Sequence, residues 1–196
     1  MKLLIACAVL VSYCQSVPEA HSTPGDMARK ASELLGSNKI LFLVQAKHPN
    51  DILPGDKNQF ACWNSTWNKT LPKFYHNISY YNVTEVGSPE LIQELGFWKV
   101  HKKPKDMVTL QTRIKTKPRI RGDWYIMEAQ ADCMVVGLNP RTDKAICFYW
   151  VTSSSSKLLD SKCNSSYHNN CLNSTFENYD WSTSCDGNNN PKKRGN

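Results

Sequence analysis

Three kinds of side chain in this 196-residue chain could do chemistry: histidines with acids, cysteines, and aromatic rings. The histidines, His21, His48, His76, His101 and His168, are scattered, and no G-x-S-x-G motif accompanies them. A nucleophile needs a base within hydrogen-bond reach and a third group to orient that base, and no spacing here supplies them. The sequence therefore predicts a non-enzyme with no catalytic residue and no cofactor, in which His76 is a core or rim histidine. Glu128 could face a bound cation, with aromatic walls adding their own attraction for it, and its plainer role is a strand end, as that of Asp51 is a turn residue.

Of the eight cysteines, Cys7 and Cys14 lie in an apolar leader, leaving Cys62, Cys133, Cys147, Cys163, Cys171 and Cys185. An even number in an exported chain predicts three disulfides. Zinc would need close pairs such as C-x-x-C beside histidines. The tightest spacing is the step from Cys163 to Cys171, so no metal site is expected.

Six N-x-S/T sequons stand at Asn64, Asn68, Asn77, Asn82, Asn164 and Asn173. Each is a candidate glycan site and should face water. The formal charge of +7 invites a polyanionic partner, but nucleic acid is a poor one for an exported glycoprotein. Lys102-Lys103-Pro104-Lys105 and Lys115-Thr116-Lys117 read as solvated turns, with glycosaminoglycan or anionic lipid as the sharper alternative. Arg121-Gly122-Asp123, at the end of the basic stretch 115–121, matches the tripeptide that integrin ligands present on tight turns. Gly-Asp is equally ordinary hairpin chemistry.

Residues 1–16 carry Lys2, an apolar run from Leu3 to Val11 and the small-residue end Cys14-Gln15-Ser16, which predicts an export signal and a secreted product. No second apolar stretch is long enough to span a bilayer. Residues 17–186 are then one domain, and 187–196, a basic tail without apolar residues to bury, should be disordered. Asp26 is placed to cap a short helix ending at Leu35. Strand patterns follow at 39–47, 59–68, 74–83, 96–101, 107–115, 123–129, 132–138 and 145–152, with a helical pattern possible only at 89–95. Eight consecutive antiparallel strands close well into a barrel wide enough for one small ligand, and a two-sheet sandwich is the competing architecture. After a serine loop at 153–156, residues 171–179 read as a helix capped by Asn170, with Leu172, Phe176 and Tyr179 on one face.

Strand alternation orients the walls, because a glycan cannot point into a core. With Asn64 and Asn68 outward, Trp63, Ser65 and Trp67 face in, while Phe60 and Cys62 share the outer parity. With Cys133 and Cys147 outward, Met134, Val136, Leu138, Phe148 and Trp150 face in. Trp124, Ile126 and Glu128 form another inward set. Asn77 and Asn82 have opposite parity, so the strand bulges between them or one sequon is unused.

These residues resemble tick salivary lipocalins of the histamine-binding kind over nearly all of the mature chain. The likeness rests on the helix before the first strand, Asn50-Asp51, Phe60-Ala61-Cys62, Asp132-Cys133-Met134-Val135-Val136, Cys147-Phe148-Tyr149-Trp150, Asn170-Cys171-Leu172-Asn173 and the late Cys185. It implies an all-β fold: an eight-stranded antiparallel lipocalin-type barrel with a short N-terminal helix and a C-terminal helix packed outside. It also implies bridges Cys62–Cys185 and Cys133–Cys171, leaving Cys147 to Cys163. The implied function is that of a secreted salivary monomer sequestering a small host mediator, by default a biogenic amine such as histamine, in evasion of host defence. By alternation the candidate binding residues are Trp63, Trp67, Trp124, Glu128, Met134, Phe148 and Trp150, and the resemblance adds Asp51, matching an acid used for amine recognition, and Glu94 as a further wall acid. The chain departs from the pattern at Met134 and Phe148, where amine-binding members carry acids. The residues themselves thus lean toward an eicosanoid or fatty-acid-like ligand. The reading from another class is a surface-acting antagonist of a host integrin through Arg121-Gly122-Asp123.

Overall fold

Helix α1 (Pro24–Leu35) begins where Thr23, in extended conformation, accepts a hydrogen bond from the Asp26 amide, and it ends at Gly36. The cap is thus Thr23, with Pro24 opening the first turn, and Asp26 lies one turn inside. The computed structural model describes residues 23–48, 60–83, 88–103, 107–114, 121–138, 147–152, 162–171, 177–186, 188 and 190–192. Asp51 and Asn173, and the tail beyond Lys192, fall outside them. Ala28, Ala31, Leu34 and Leu35 recur at helical spacing and are buried, so α1 lays one apolar stripe against the strands.

Eight strands follow: β1 (Leu41–His48), β2 (Phe60–Trp67), β3 (Tyr75–Asn82), β4 (Glu90–Lys103), β5 (Met107–Ile114), β6 (Arg121–Ala129), β7 (Cys133–Gly137) and β8 (Cys147–Val151). Each pairs antiparallel with the next, β8 pairs with β1, and β1 pairs with β2, which closes the barrel. The sandwich is thereby excluded. The closing seam is short: β1 meets β2 only at Leu41 and Phe42, and from Gln45 to His48 its partner is β9 (Glu177–Asp180).

Three expectations give way. The stretch 89–95 is the first half of β4, fully paired with β3; Leu91 and Leu95, which suggest a helical i,i+4 pair, lie on its exposed outer side. The C-terminal helix is α2 (Lys162–Cys171), so Asn170 sits in its last turn, and Tyr179 belongs to β9. After the short α3 (Trp181–Ser184) the chain folds back: Cys185 pairs with Pro191, the Asn190 amide donates to Asp186, and Lys192 donates to the Ser182 carbonyl. Polar capping bonds and the anchored Cys185 order this part of the tail without any apolar residue.

The disulfides are Cys62–Cys185, Cys133–Cys163 and Cys147–Cys171. The first is as the resemblance implies, while the other two exchange partners. Cys133 and Cys147 stand at opposite ends of the paired strands β7 and β8, and α2 lies across them with one cysteine near each end. Each strand cysteine therefore bonds to its own end of the helix. Among the described residues, no helix is long and apolar enough to cross a membrane.

Candidate functional site

Alternation delivers rings to the barrel interior. Trp63, Tyr80, Trp98, Trp124, Phe148 and Trp150 are all buried in one core with Met134 and Val136. Trp63 stacks on Tyr80 with centroids 4.0 Å apart, Trp98 meets Trp150 edge-on at 5.1 Å, and Trp124 lies against Phe148 at 4.9 Å. Such offset and edge-on pairs add to the burial of the rings themselves. Trp67 is half-buried opposite His76. The predicted inward positions Trp63, Trp124, Met134, Phe148 and Trp150 are thus brought together, and α1, touching β4, β5 and β6, lies near one end of them.

Glu128 is the exception. A register shift between Ile126 and Glu128 gives the place opposite inward Met134 to Ala129, and sets Glu128 opposite Val135, which belongs to the outer wall. The extra residue inverts the alternation. Glu128 is buried there, with Gln130 Nε2 donating to it at 2.6 Å and Lys30 of α1 donating to Gln130. A second irregularity, between Ala61 and Asn64 with Cys62 at φ 59°, resets β2, placing Phe60 opposite Asn82 and Ala61 opposite Tyr81. Outer parity therefore does not run from Asn64 back to Phe60.

Glu94 takes its place in the inward set of β4, opposite Ile78, half-buried and in the half of the strand away from Lys102, which lies beside Gly25 of α1. Exposed Glu90 begins the strand. Two glycines keep the wall close or open. A Cβ on Gly96 would come within 2.8 Å of Ile78 Cγ1, whereas Gly122, at φ 128°, faces open space. A cavity of 410 Å³ lies beside Gly122, lined among the described residues by Gln111, Thr112 and Arg113.

Sequence reasoning undervalues the polar core. His76 and Ser65 are 1 % and 0 % exposed, and Ser65 Oγ lies 3.2 Å from His76 Nδ1. The His76 ring stacks on Trp98 at 5.3 Å, and burial pushes the imidazole down to about 4, so it is neutral at physiological pH. His76 Nε2 and the indole nitrogens of Trp98 and Trp124 are buried without a hydrogen-bond partner. The signal for His76 is present in the sequence: an outward Asn77 sequon requires inward neighbours.

Arg121-Gly122-Asp123 opens β6 rather than sitting on a turn, paired residue for residue with Arg113, Thr112 and Gln111. Asp123 is ion-paired with Lys103. Of the sequons, Asn77 is exposed, Asn64, Asn68 and Asn164 are half-buried, and Asn82 has the inward parity of Tyr80, with its Oδ1 buried. Among the described residues no group of three or more His, Cys, Asp or Glu could hold a metal ion.

A closed up-and-down barrel of eight antiparallel strands, with helices outside it, is a lipocalin-type fold. No family model and no curated protein matches the chain. Similar solved structures include Japanin from Rhipicephalus appendiculatus bound to cholesterol, 13% identical with a TM-score of 0.48, covering 74% of this chain and 94% of that one. Lobster apocrustacyanin A1 is 8% identical with a TM-score of 0.43, covering 78% and 81%. Apocrustacyanin C1 is 9% identical with a TM-score of 0.48, again covering 78% and 81%.

Proposed function

We propose that the chain is a secreted carrier that sequesters a small, largely apolar mediator carrying oxygen groups, of the eicosanoid kind, inside its barrel. The observation that carries this reading is the chemistry of the interior. Met134 and Phe148, where amine-binding members carry acids, are buried among rings, and the bulge in β6 takes Glu128 out of the inward set. A buried ammonium needs carboxylates around it, whereas rings and unpartnered indole N–H groups suit an apolar body with acceptor oxygens. Three disulfides accord with an extracellular setting.

Calorimetric titration of the deglycosylated protein with leukotriene B4, arachidonic acid, histamine and serotonin tests this: the lipids are expected to bind and the amines to give no heat. One observation favours a biogenic amine instead, namely Glu94, half-buried on the inner wall. Histamine binding lost in Glu94→Gln would establish that reading. Integrin antagonism through Arg121-Gly122-Asp123 has less in its favour, since an acid held by Lys103 in a paired strand must first be released to reach a receptor's metal.

A further inference from the structure

Orphaned polar atoms are rare in folded interiors, and each calls for a water, an ion or a ligand group. His76 Nε2 and Trp98 Nε1 are two such atoms on one stacked pair of rings, both residues being nearly inaccessible. Trp98 Nε1 lies over Gly96, 3.3 Å from where a Cβ would stand, and Gly96 precedes Trp98 by two residues on β4. The indole N–H is thus a donor held over a position that carries no side chain.

His76 is adaptable where Trp98 is fixed. Its Nδ1 is committed to Ser65. A hydroxyl can donate to Nδ1, which leaves Nε2 protonated and a donor, or accept from Nδ1–H, which leaves Nε2 an acceptor. The imidazole stays neutral in both states, as its depressed pKa requires. A carbonyl oxygen is served only by the tautomer in which Nε2 is a donor, whereas a hydroxyl is served by either, because it can accept from the indole N–H and both donate to and accept from Nε2.

We propose that Ser65, His76 and Trp98 form a hydroxyl-recognition point inside the barrel, with the Ser65–His76 pair setting the tautomer that the ligand needs. This rests on the barrel being a binding cavity and adds the functional group that it selects.

Phenol and benzene differ by one hydroxyl and test the point without any physiological ligand. In ¹⁵N-labelled wild-type protein, phenol should shift the His76 ring nitrogens and benzene should not; equal response to both, or none to either, overturns the proposal. Phenol should bind about tenfold to a hundredfold more tightly than benzene, the worth of the two hydrogen bonds its hydroxyl makes. That preference should be reduced in the double variant Ser65→Ala/His76→Phe and in Trp98→Phe, each of which leaves one partner. A preference undiminished in Trp98→Phe and in the double variant overturns it, and Trp98→Phe alone decides if the double variant does not fold. Lipid titration is a separate outcome: phenol selectivity without leukotriene binding sinks the proposed function and leaves the recognition point standing, and the converse sinks the recognition point alone.

Discussion

Strands β7 and β8 show two opposite ways of using burial on their two faces. Outward, Cys133, Val135, Cys147, Tyr149 and Val151 pack beneath α2 with Cys163, Tyr167 and Cys171, and two disulfides staple the helix down. Tyr149 stacks on Tyr167 at 5.8 Å, and burial raises the Tyr167 phenol above its ordinary range. Inward, Met134, Val136, Phe148 and Trp150 join a core of rings containing His76, Trp98 and Trp124, whose polar edges lack partners. Covalent bonds secure the outer face, whereas the inner face leaves hydrogen-bonding capacity unused. Under the proposed function, those unmet polar groups are what the oxygen atoms of a ligand would satisfy.

The largest effects should come from the bridges. Replacing Cys62 and Cys185 with alanine opens a loop of 123 residues, costing about 5 kcal/mol in the chain-entropy model, and denaturant unfolding would register it. The wall bridges close 30 and 24 residues and should cost about 3.5 kcal/mol each. Peptide mapping of the intact protein sharpens the point: fragments joining Cys133 to Cys163 and Cys147 to Cys171 are expected, and the exchanged pairing would refute the arrangement of α2.

Next comes pH. His76 titrates near 4 in the folded chain against an ordinary 6.5, so the unfolded chain binds the proton more readily. Stability should be complete above about pH 7 and fall by about 3 kcal/mol as pH drops through 6.5 toward 4, with no further loss from this group below that. Ser65→Ala/His76→Phe should flatten that part of the profile. Unchanged pH dependence would show that His76 is not buried neutral in the inner face.

A smaller effect is expected from Trp98→Phe, which keeps a ring in the core and removes an unpartnered donor. Thermal unfolding should move by no more than about 1–2 kcal/mol, because no hydrogen bond within the protein is broken. At the level of modification, glycopeptide mass spectrometry should find a glycan on Asn77 and none on Asn82, whose inward parity leaves no room for one.

The eight strands were readable because alternation and turn residues agree along most of the chain, and the inward set Trp63, Trp124, Met134, Phe148 and Trp150 followed from fixing a few outward positions. Alternation fails where a strand gains a residue. The bulges at Cys62 and between Ile126 and Glu128 carry no local signature, so strict alternation breaks in β2 and sets Glu128 on a face it does not take. The first half of β4 was obscured because Leu91 and Leu95 fit a helical spacing as well as the outer side of a strand. Bridge partners depend on how α2 lies across β7 and β8, which is a tertiary fact. Ser65, His76 and Trp98 meet only when β2, β3 and β4 pair, although each one's facing was implied by its neighbours.

Calorimetric titration of the deglycosylated protein with leukotriene B4 and with histamine tests the central claim most directly. An oxygen-bearing lipid cavity predicts saturable binding of leukotriene B4 and no heat with histamine. Tight histamine binding that disappears in Glu94→Gln, with no response to the lipid, would contradict it.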